Sequence, residues 1–327
     1  MPSSREWIPL RTRRKTPPAG LLVFASSAAA RLPDDVRYRL EHLLFEAIRC
    51  LVGLLPRRAL LAAGEAAGRI AFRLDRRRRE VALDNLATAF PGIAPVEAHR
   101  IARDAFAFFG RYLFDLVSCL PAFPIERMAS FECQGLEHVV AAHAEGKGVL
   151  YFTGHFGGWE LMAMAHGVRG YPVGVIARRL DNPHLQAEIL ALRASTGNFV
   201  IEKRDGFRPM LQALREKKGI AILIDQNVSG DERVFVDFFG RPAATTPALA
   251  LLHLKTGAPL LPVFAIPLPG DRYRFRFGPP VVVPLTGDRK EDVVGVTQAC
   301  TRVLEDAVRE HPSSWLWMHR RWKTPPP

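Results

Sequence analysis

The feature that most constrains this chain is a change of rhythm after residue 140. Five short apolar runs, "GVLYF" (148–152), "PVGVI" (172–176), "NFVIE" (198–202), "GIAILID" (219–225) and "PLLPVFAI" (259–266), read as strands. Helix-like stretches lie between them at 158–168, 183–196, 206–217 and 246–256. Alternating strands and helices predict an α/β fold, a mostly parallel central sheet flanked by helices on both faces. "RYRFRFG" (272–278) alternates with period two and predicts an exposed edge or antiparallel strand. A last helix is expected at about 290–310, ahead of the aromatic and basic tail "WLWMHRRWK" (315–323).

The first 140 residues have a helical pattern instead. In "RLEHLLFEAIRCLVGLLP" apolar residues recur at Leu40, Leu43, Leu44, Ile48, Leu51 and Leu55, with Glu41, Glu46 and Arg49 on the other side. A second helical stretch runs from about residue 58 to Pro91, and a third covers 96–120, where Phe106, Phe109, Leu113 and Leu116 form a packing stripe. Residues 1–35 read as a basic, disordered tail, 36–140 as a helical membrane-associating region, and 141–327 as the α/β core, integrated with the helices into one domain. The segment "GLLVFASSAAA" (20–30) loosely imitates a signal peptide, but it is short and follows a long Pro-containing lead, so a retained tail is expected.

Charge narrows the partners. The formal net charge is +12, which favours a polyanion: nucleic acid, an anionic membrane or an acidic protein. The cluster Arg76–Arg79 fits either a solvated helix face or an electrostatic foot on anionic lipid. No nucleic-acid module is recognised, so nucleic acid is not expected. Four cysteines (50, 119, 133 and 300) lie far apart without a Cys-x-x-Cys pair, which predicts neither a disulfide framework nor a zinc site. No run of roughly 20 uncharged apolar residues occurs, so a membrane-spanning helix is not expected.

Chemistry-bearing residues gather where α/β sheets place their sites, after strand carboxyl ends. "YFTGHFGGWE" (151–160) puts His155 just beyond one strand, and Asp225 closes another. His155 and Glu160, five apart, cannot share a helix face. They can meet only if the His lies in the turn and the Glu in the first helical residues, a geometry that Gly157 and Gly158 permit. Such a carboxylate would orient the imidazole and leave its other nitrogen free to take a proton from a hydroxyl. The bland alternative is a His–Glu contact that only caps a helix. No Gly-x-Ser-x-Gly elbow, phosphate loop or His-Glu-x-x-His is present. A His base without a protein nucleophile suits direct attack by a substrate hydroxyl on an activated carbonyl.

Beyond the His-x4-Glu box, several blocks follow in order: "LDNLATAFPG" (83–92), "RRLDNP" (178–183), "LRASTG" (192–197), "DQN" (225–227), "VFVDFFGRPAATTPALALL" (234–252) and the "WLWMHRRWK" ending. With them the chain resembles the lipid A biosynthesis acyltransferases over about residues 45–325. The resemblance implies a glycerolipid acyltransferase-like fold and transfer of a fatty acyl chain from acyl carrier protein to a hydroxyl of a lipid A precursor. The acceptor would be an anionic glycolipid, met at the cytoplasmic face of the inner membrane. It implies His155 as general base and Glu160 as its orienting partner. Arg178, Asn182, Arg193 and Asp225 would line the substrate site, Arg178 meeting developing negative charge on the thioester oxygen or a phosphate of the acceptor. Arg320 and Arg321 would meet anionic lipid or carrier protein, with a structural C-terminal anchor as their alternative. Arg193 pairing within a helix and Asp225 capping a loop are the alternatives for those two. The blocks at Phe238–Gly240 and Thr245–Thr246 would shape a loop over the acyl channel, with core packing as the alternative for the two phenylalanines. No cofactor or metal is implied; acyl carrier protein or acyl-coenzyme A serves as co-substrate.

Relatives of this kind often begin with one apolar anchor, whereas 37–55 carries Glu41, Glu46 and Arg49, so a peripheral interfacial helix is expected. The resemblance extends to enzymes that acylate mannosylated phosphatidylinositol from acyl-coenzyme A. A lysophospholipid acceptor, a metallohydrolase and an inactive basic lipid-binding protein are the further alternatives.

Overall fold

The structure is a computed structural model and describes residues 33–327 except 121, 204–205 and 231. All but the last three residues of the expected basic tail, and the whole of segment 20–30, lie outside the described residues. Four helices come first: α1 (Asp34–Gly53), α2 (Arg57–Leu74), α3 (Arg76–Ala89) and α4 (Pro95–Val117). The second predicted stretch is thus two helices rather than one. Asp75 ends α2 and caps α3, its carboxylate accepting from the Arg78 N–H at 2.9 Å.

The α/β region then runs β1 (Phe131–Gln134), α5 (Leu136–Ala144), β2 (Val149–Thr153), α6 (Trp159–Val168), β3 (Val173–Ala177), α7 (Pro183–Ala194), β4 (Phe199–Glu202), α8 (Phe207–Arg215) and β5 (Gly219–Leu223). It continues with β6 (Val234–Phe238), β7 (Arg241–Thr245), α9 (Ala248–Thr256), β8 (Leu260–Leu268), β9 (Arg272–Phe277) and α10 (Arg289–Glu310). Seven strands form one sheet in the order β1-β9-β8-β2-β5-β3-β4. Every pairing in it is parallel except β8 with β9. All five residues of β2 are buried, as expected for a strand covered on both faces.

Two readings settle on one of their alternatives. The alternating segment β9 is antiparallel to β8 but interior, because β1 pairs along its other side. The Phe-Phe-Gly block is no loop: β6 and β7 form an antiparallel hairpin, with Phe239 (φ 58°) and Gly240 (φ 72°) making the turn. Phe238 and Phe239 face inward against Trp315 and Trp317, so the block packs core.

The N-terminal helices share their core with the sheet. Leu86 of α3 and Phe106 of α4 belong to the same buried cluster as Phe152, Ile222 and Leu260, together with Leu304 of α10 and the two tail tryptophans. On the opposite face Phe109 and Tyr112 of α4 join Tyr151, Val173, Phe275 and Leu161 of α6. Asn85 fastens α3 to the tail by donating to the carbonyls of Trp317 (2.7 Å) and His319 (2.6 Å).

Helix α1 is different. Its polar side meets α7: Asn182 donates to the Tyr38 carbonyl at 2.9 Å and to the Glu41 carboxylate at 3.0 Å, and His42 lies 3.6 Å from Glu188. Its apolar side faces out, with Leu43, Leu44 and Leu51 each more than half exposed. Among the described residues no helix is long and apolar enough to cross a membrane.

Candidate active site

Strands β2 and β5 are adjacent, parallel, and paired Val149 to Gly219 through Thr153 to Leu223. The pairing carries on past the strand ends, where the Ile224 N–H donates to the Thr153 carbonyl at 2.9 Å. Counting forward two residues in each strand sets His155 opposite Asp225. The Asp225 carboxylate accepts from His155 Nδ1 at 2.8 Å, from the His155 backbone N–H at 2.7 Å and from the Trp315 indole N–H at 2.8 Å.

Electrostatics fix the proton. Burial alone would push the His155 imidazole down; the Asp225 charge and hydrogen bond outweigh it, and its pKa is raised, with a further small contribution from Glu160. Asp225 is 2% exposed, yet His155 and the three donors hold its carboxyl far below the usual range. An ionised carboxylate only accepts, so Nδ1 of His155 carries a hydrogen, and in the neutral ring Nε2 presents a lone pair. The Trp159 ring stands against the imidazole with centroids 5.2 Å apart.

Glu160 does not orient the imidazole, and this corrects the expected pairing. It lies in the first turn of α6, where its carboxylate takes the guanidinium fork of Arg193: Nε to Oε1 at 2.5 Å and Nη2 to Oε2 at 3.1 Å. Its backbone N–H donates to the Tyr112 hydroxyl at 3.0 Å. The motif's two ends are therefore joined to different partners, His155 to Asp225 and Glu160 to Arg193. Gly157 makes the turn between them possible, having φ +57° and standing where a Cβ would lie 1.6 Å from the Ala265 carbonyl oxygen.

The remaining predicted residues separate. Arg178 is exposed and pairs with Asp181 at 3.3 Å, at the rim of a cavity. Asn182 is buried and caps α7, its side-chain oxygen accepting from the His184 N–H at 3.0 Å while its amide group holds α1, so it supports the fold rather than facing substrate. Arg320 is exposed. Arg321 is 1% exposed, donates to the Ala244 carbonyl at 2.7 Å and to the Thr245 hydroxyl, and lies over the Phe238 ring. It clamps the β6–β7 hairpin and cannot reach lipid or carrier; burial pushes its pKa down to about 10.

His155 opens onto a cavity of about 850 Å³, the size of a small-molecule site. Apolar side chains of both core clusters line it, including Met162, Val173, Ile201, Met210, Ile222 and Phe277, with Glu160, Arg178, Arg193, Glu202, Lys203 and Glu232 as charged members. Among the described residues its lining holds no serine or cysteine. His42, Glu46 and Glu188 bring possible metal donors within 4.8 Å of one another, but at the α1–α7 contact, with Glu46 already held by Arg49.

Sequence reasoning missed Trp315 and Gln226, the latter with its amide 3.3 Å from His155 Nε2. Equal counts, six residues from Val149 to His155 and six from Gly219 to Asp225, were the available signal for the His–Asp pairing once the two strands were set side by side.

The site is thus a carboxylate-held histidine at an apolar cavity, above a mostly parallel α/β sheet. Over residues 35–324 the chain matches the family model described as bacterial lipid A biosynthesis acyltransferase, and it belongs to that family. It is an acyltransferase. It is 27% identical over 279 residues to the lipid A biosynthesis lauroyltransferase of Escherichia coli (strain K12), covering 84% of this chain and 89% of that protein. Against the lipid A biosynthesis myristoyltransferase of the same strain identity is 25% over 262 residues, 80% of each chain. The phosphatidylinositol mannoside acyltransferase of Mycobacterium tuberculosis (strain ATCC 25618 / H37Rv) is 28% identical over 192 residues, 58% of each chain.

Proposed function

We propose that this protein is a peripheral membrane O-acyltransferase that moves a fatty acyl chain from acyl carrier protein to a hydroxyl of an anionic lipid A precursor, at the cytoplasmic face of the inner membrane. The observation that carries the reading is the His155 Nε2 lone pair, fixed by buried Asp225 at an apolar cavity. An acceptor hydroxyl on Nε2 gives up its proton as its oxygen attacks the thioester carbonyl carbon. The new C–O bond forms, the tetrahedral intermediate collapses, the C–S bond breaks, and the departing thiolate takes the proton back. No acyl-enzyme is required. Asp225 stabilises the imidazolium formed midway, and the Glu160–Arg193 fork fixes the cavity wall beside it. Arg178, exposed at the rim, would meet a phosphate of the acceptor.

Helix α1 supplies the membrane contact. With its polar side on α7, its leucines stand exposed among the described residues, and fully burying such a side chain is worth about 1.5–3 kcal/mol. The phosphatidylinositol mannoside acyltransferase likeness favours a second reading, a mannosylated phosphatidylinositol acceptor with acyl-coenzyme A as donor. The deciding experiment offers acyl carrier protein and acyl-coenzyme A thioesters against a phosphorylated lipid A precursor, a phosphatidylinositol mannoside and a lysophospholipid, and weighs the products by mass spectrometry. An acylated lipid A precursor formed from the carrier thioester supports the leading reading. Acylation of only the mannoside sinks it in favour of the second, and no product with any pair sinks both.

A further inference from the structure

Attack on a thioester builds negative charge on the carbonyl oxygen, and a donor must meet it. The backbone N–H groups from His155 to Gly158 are already engaged. The N–H of Phe156 donates to the Gly154 carbonyl at 2.7 Å, that of Gly157 to the Ser314 carbonyl at 2.8 Å, and that of Gly158 to the Ala265 carbonyl at 3.3 Å. The His155 N–H is held by Asp225, and the Arg193 fork by Glu160.

Gln226 is placed otherwise. Its neighbours are anchored: Asp225 by three donors, and Asn227 by its backbone N–H to His319 and by reciprocal side-chain bonds to Thr324. Its own side chain is exposed, lines the cavity, and places its Nε2 3.3 Å from His155 Nε2. In the neutral imidazole Nδ1 carries the hydrogen, so Nε2 accepts and the Gln226 amide donates. The carboxamide therefore sits where an acceptor hydroxyl must come, on a fixed backbone and with an exposed side chain.

Resting on the acyl-transfer reading, we infer that Gln226 is a catalytic residue with two positions. With the site empty it caps the base nitrogen. When the acceptor hydroxyl takes its place on Nε2, the displaced amide donates to the thioester oxygen as the C–O bond forms and the carbonyl π electrons move onto that oxygen. It returns that hydrogen bond when the C–S bond breaks. The proton itself travels only between the hydroxyl, His155 and the leaving thiolate.

The test uses the full chain and the donor and acceptor pair that the wild type turns over. Gln226→Ala lowers kcat by about 10²–10³-fold with the acceptor KM within a factor of about three, the loss expected for one oxyanion donor. Gln226→Glu keeps the shape, offers no N–H, and loses at least as much. Carbethoxylation of His155, followed by peptide mass spectrometry, proceeds severalfold faster in Gln226→Ala because the cap is gone. Full kcat in either variant overturns the oxyanion role, and an unchanged carbethoxylation rate overturns the cap. A wild type that acylates no acceptor overturns the acyl-transfer reading instead, and the carbethoxylation arm still reads the cap.

Discussion

Replacing Asp225 by Asn separates a proton-orienting carboxylate from a merely structural one. Oδ2 receives two donors that cannot reverse, the His155 backbone N–H (2.7 Å) and the Trp315 indole (2.8 Å). An asparagine must therefore turn its carbonyl oxygen to that side, and its NH₂ group then points at His155 Nδ1. The imidazole answers by accepting at Nδ1 and carrying its hydrogen on Nε2. The base nitrogen is then protonated in the neutral ring, the wrong tautomer for taking a proton from a hydroxyl. The loss of kcat is about 10⁴-fold by analogy with other histidine bases robbed of their carboxylate. Folding loses the charge-assisted character of three bonds but keeps partners for each, which costs about 1–3 kcal/mol.

The assay is steady-state transfer across pH, with the His155 ring nitrogens followed by ¹⁵N NMR. In the wild type the acid limb lies above pH 6.5 or so, because Asp225 raises the imidazole. In Asp225→Asn the plateau collapses, the limb moves to lower pH, and the ring hydrogen appears on Nε2. An Asn variant within about tenfold of wild type, its limb unmoved, would refute the orienting role.

Three further outcomes follow from the same geometry. Glu160→Gln leaves the Arg193 guanidinium, only 13% exposed, without its counter-charge, so chemical denaturation should show a loss of about 2–4 kcal/mol. Its acid limb should move far less than in Asp225→Asn, since the imidazole keeps its partner; a larger shift would restore Glu160 as the orienting group. The triple change Leu43→Glu, Leu44→Glu, Leu51→Glu should abolish sedimentation with anionic vesicles while leaving Tm nearly unchanged, because α1 packs through its polar side. Arg321→Ala should cost about 3–5 kcal/mol in stability by freeing the β6–β7 hairpin and stranding two buried acceptors, whereas an effect confined to carrier-protein KM would return Arg321 to the surface role.

The strand rhythm after residue 140 was legible because buried parallel strands leave continuous apolar runs: β4 and β5 fall within their predicted segments, β2 and β3 overrun theirs by one residue and β8 by two. The hairpin was not, since "VFVDFFGRPAAT" follows no clean alternation and hides its turn in a non-glycine residue at φ 58°. Helix α1 was legible as amphipathic but not in its orientation; only the contacts of Asn182 and Glu188 decide that the polar face is the inner one. The site divides likewise. His155 and Asp225 stood out by position after strands, while their pairing depends on β2 and β5 being neighbours, a fact of sheet order that no local pattern carries. Glu160 beside His155 in sequence invited the wrong partner. Arg321, one residue from exposed Arg320, shows that a basic run in the tail says nothing about which member turns inward.

The bonds that set the catalyst also fasten three distant parts of the chain, the β2 turn, the β5 turn and the tail at Trp315, so activity and stability share one titration. Asp225 has a depressed pKa, so its stabilisation is complete above the ordinary carboxylate value of about 3.9 and is lost as pH falls through the lower folded value. His155 has a raised pKa, so its stabilisation is complete below about 6.5 and fades as pH climbs through the higher folded value. The pair therefore contributes most between about pH 4 and 6.5. Turnover needs the neutral imidazole and rises where that contribution is fading. The difference in unfolding free energy between wild type and His155→Gln should thus be greatest near pH 5 to 6 and shrink across the same interval in which wild-type kcat increases. A difference that grows with pH through that interval would mean that the imidazole is neutral throughout, and that Asp225 holds it by hydrogen bonding without raising its pKa.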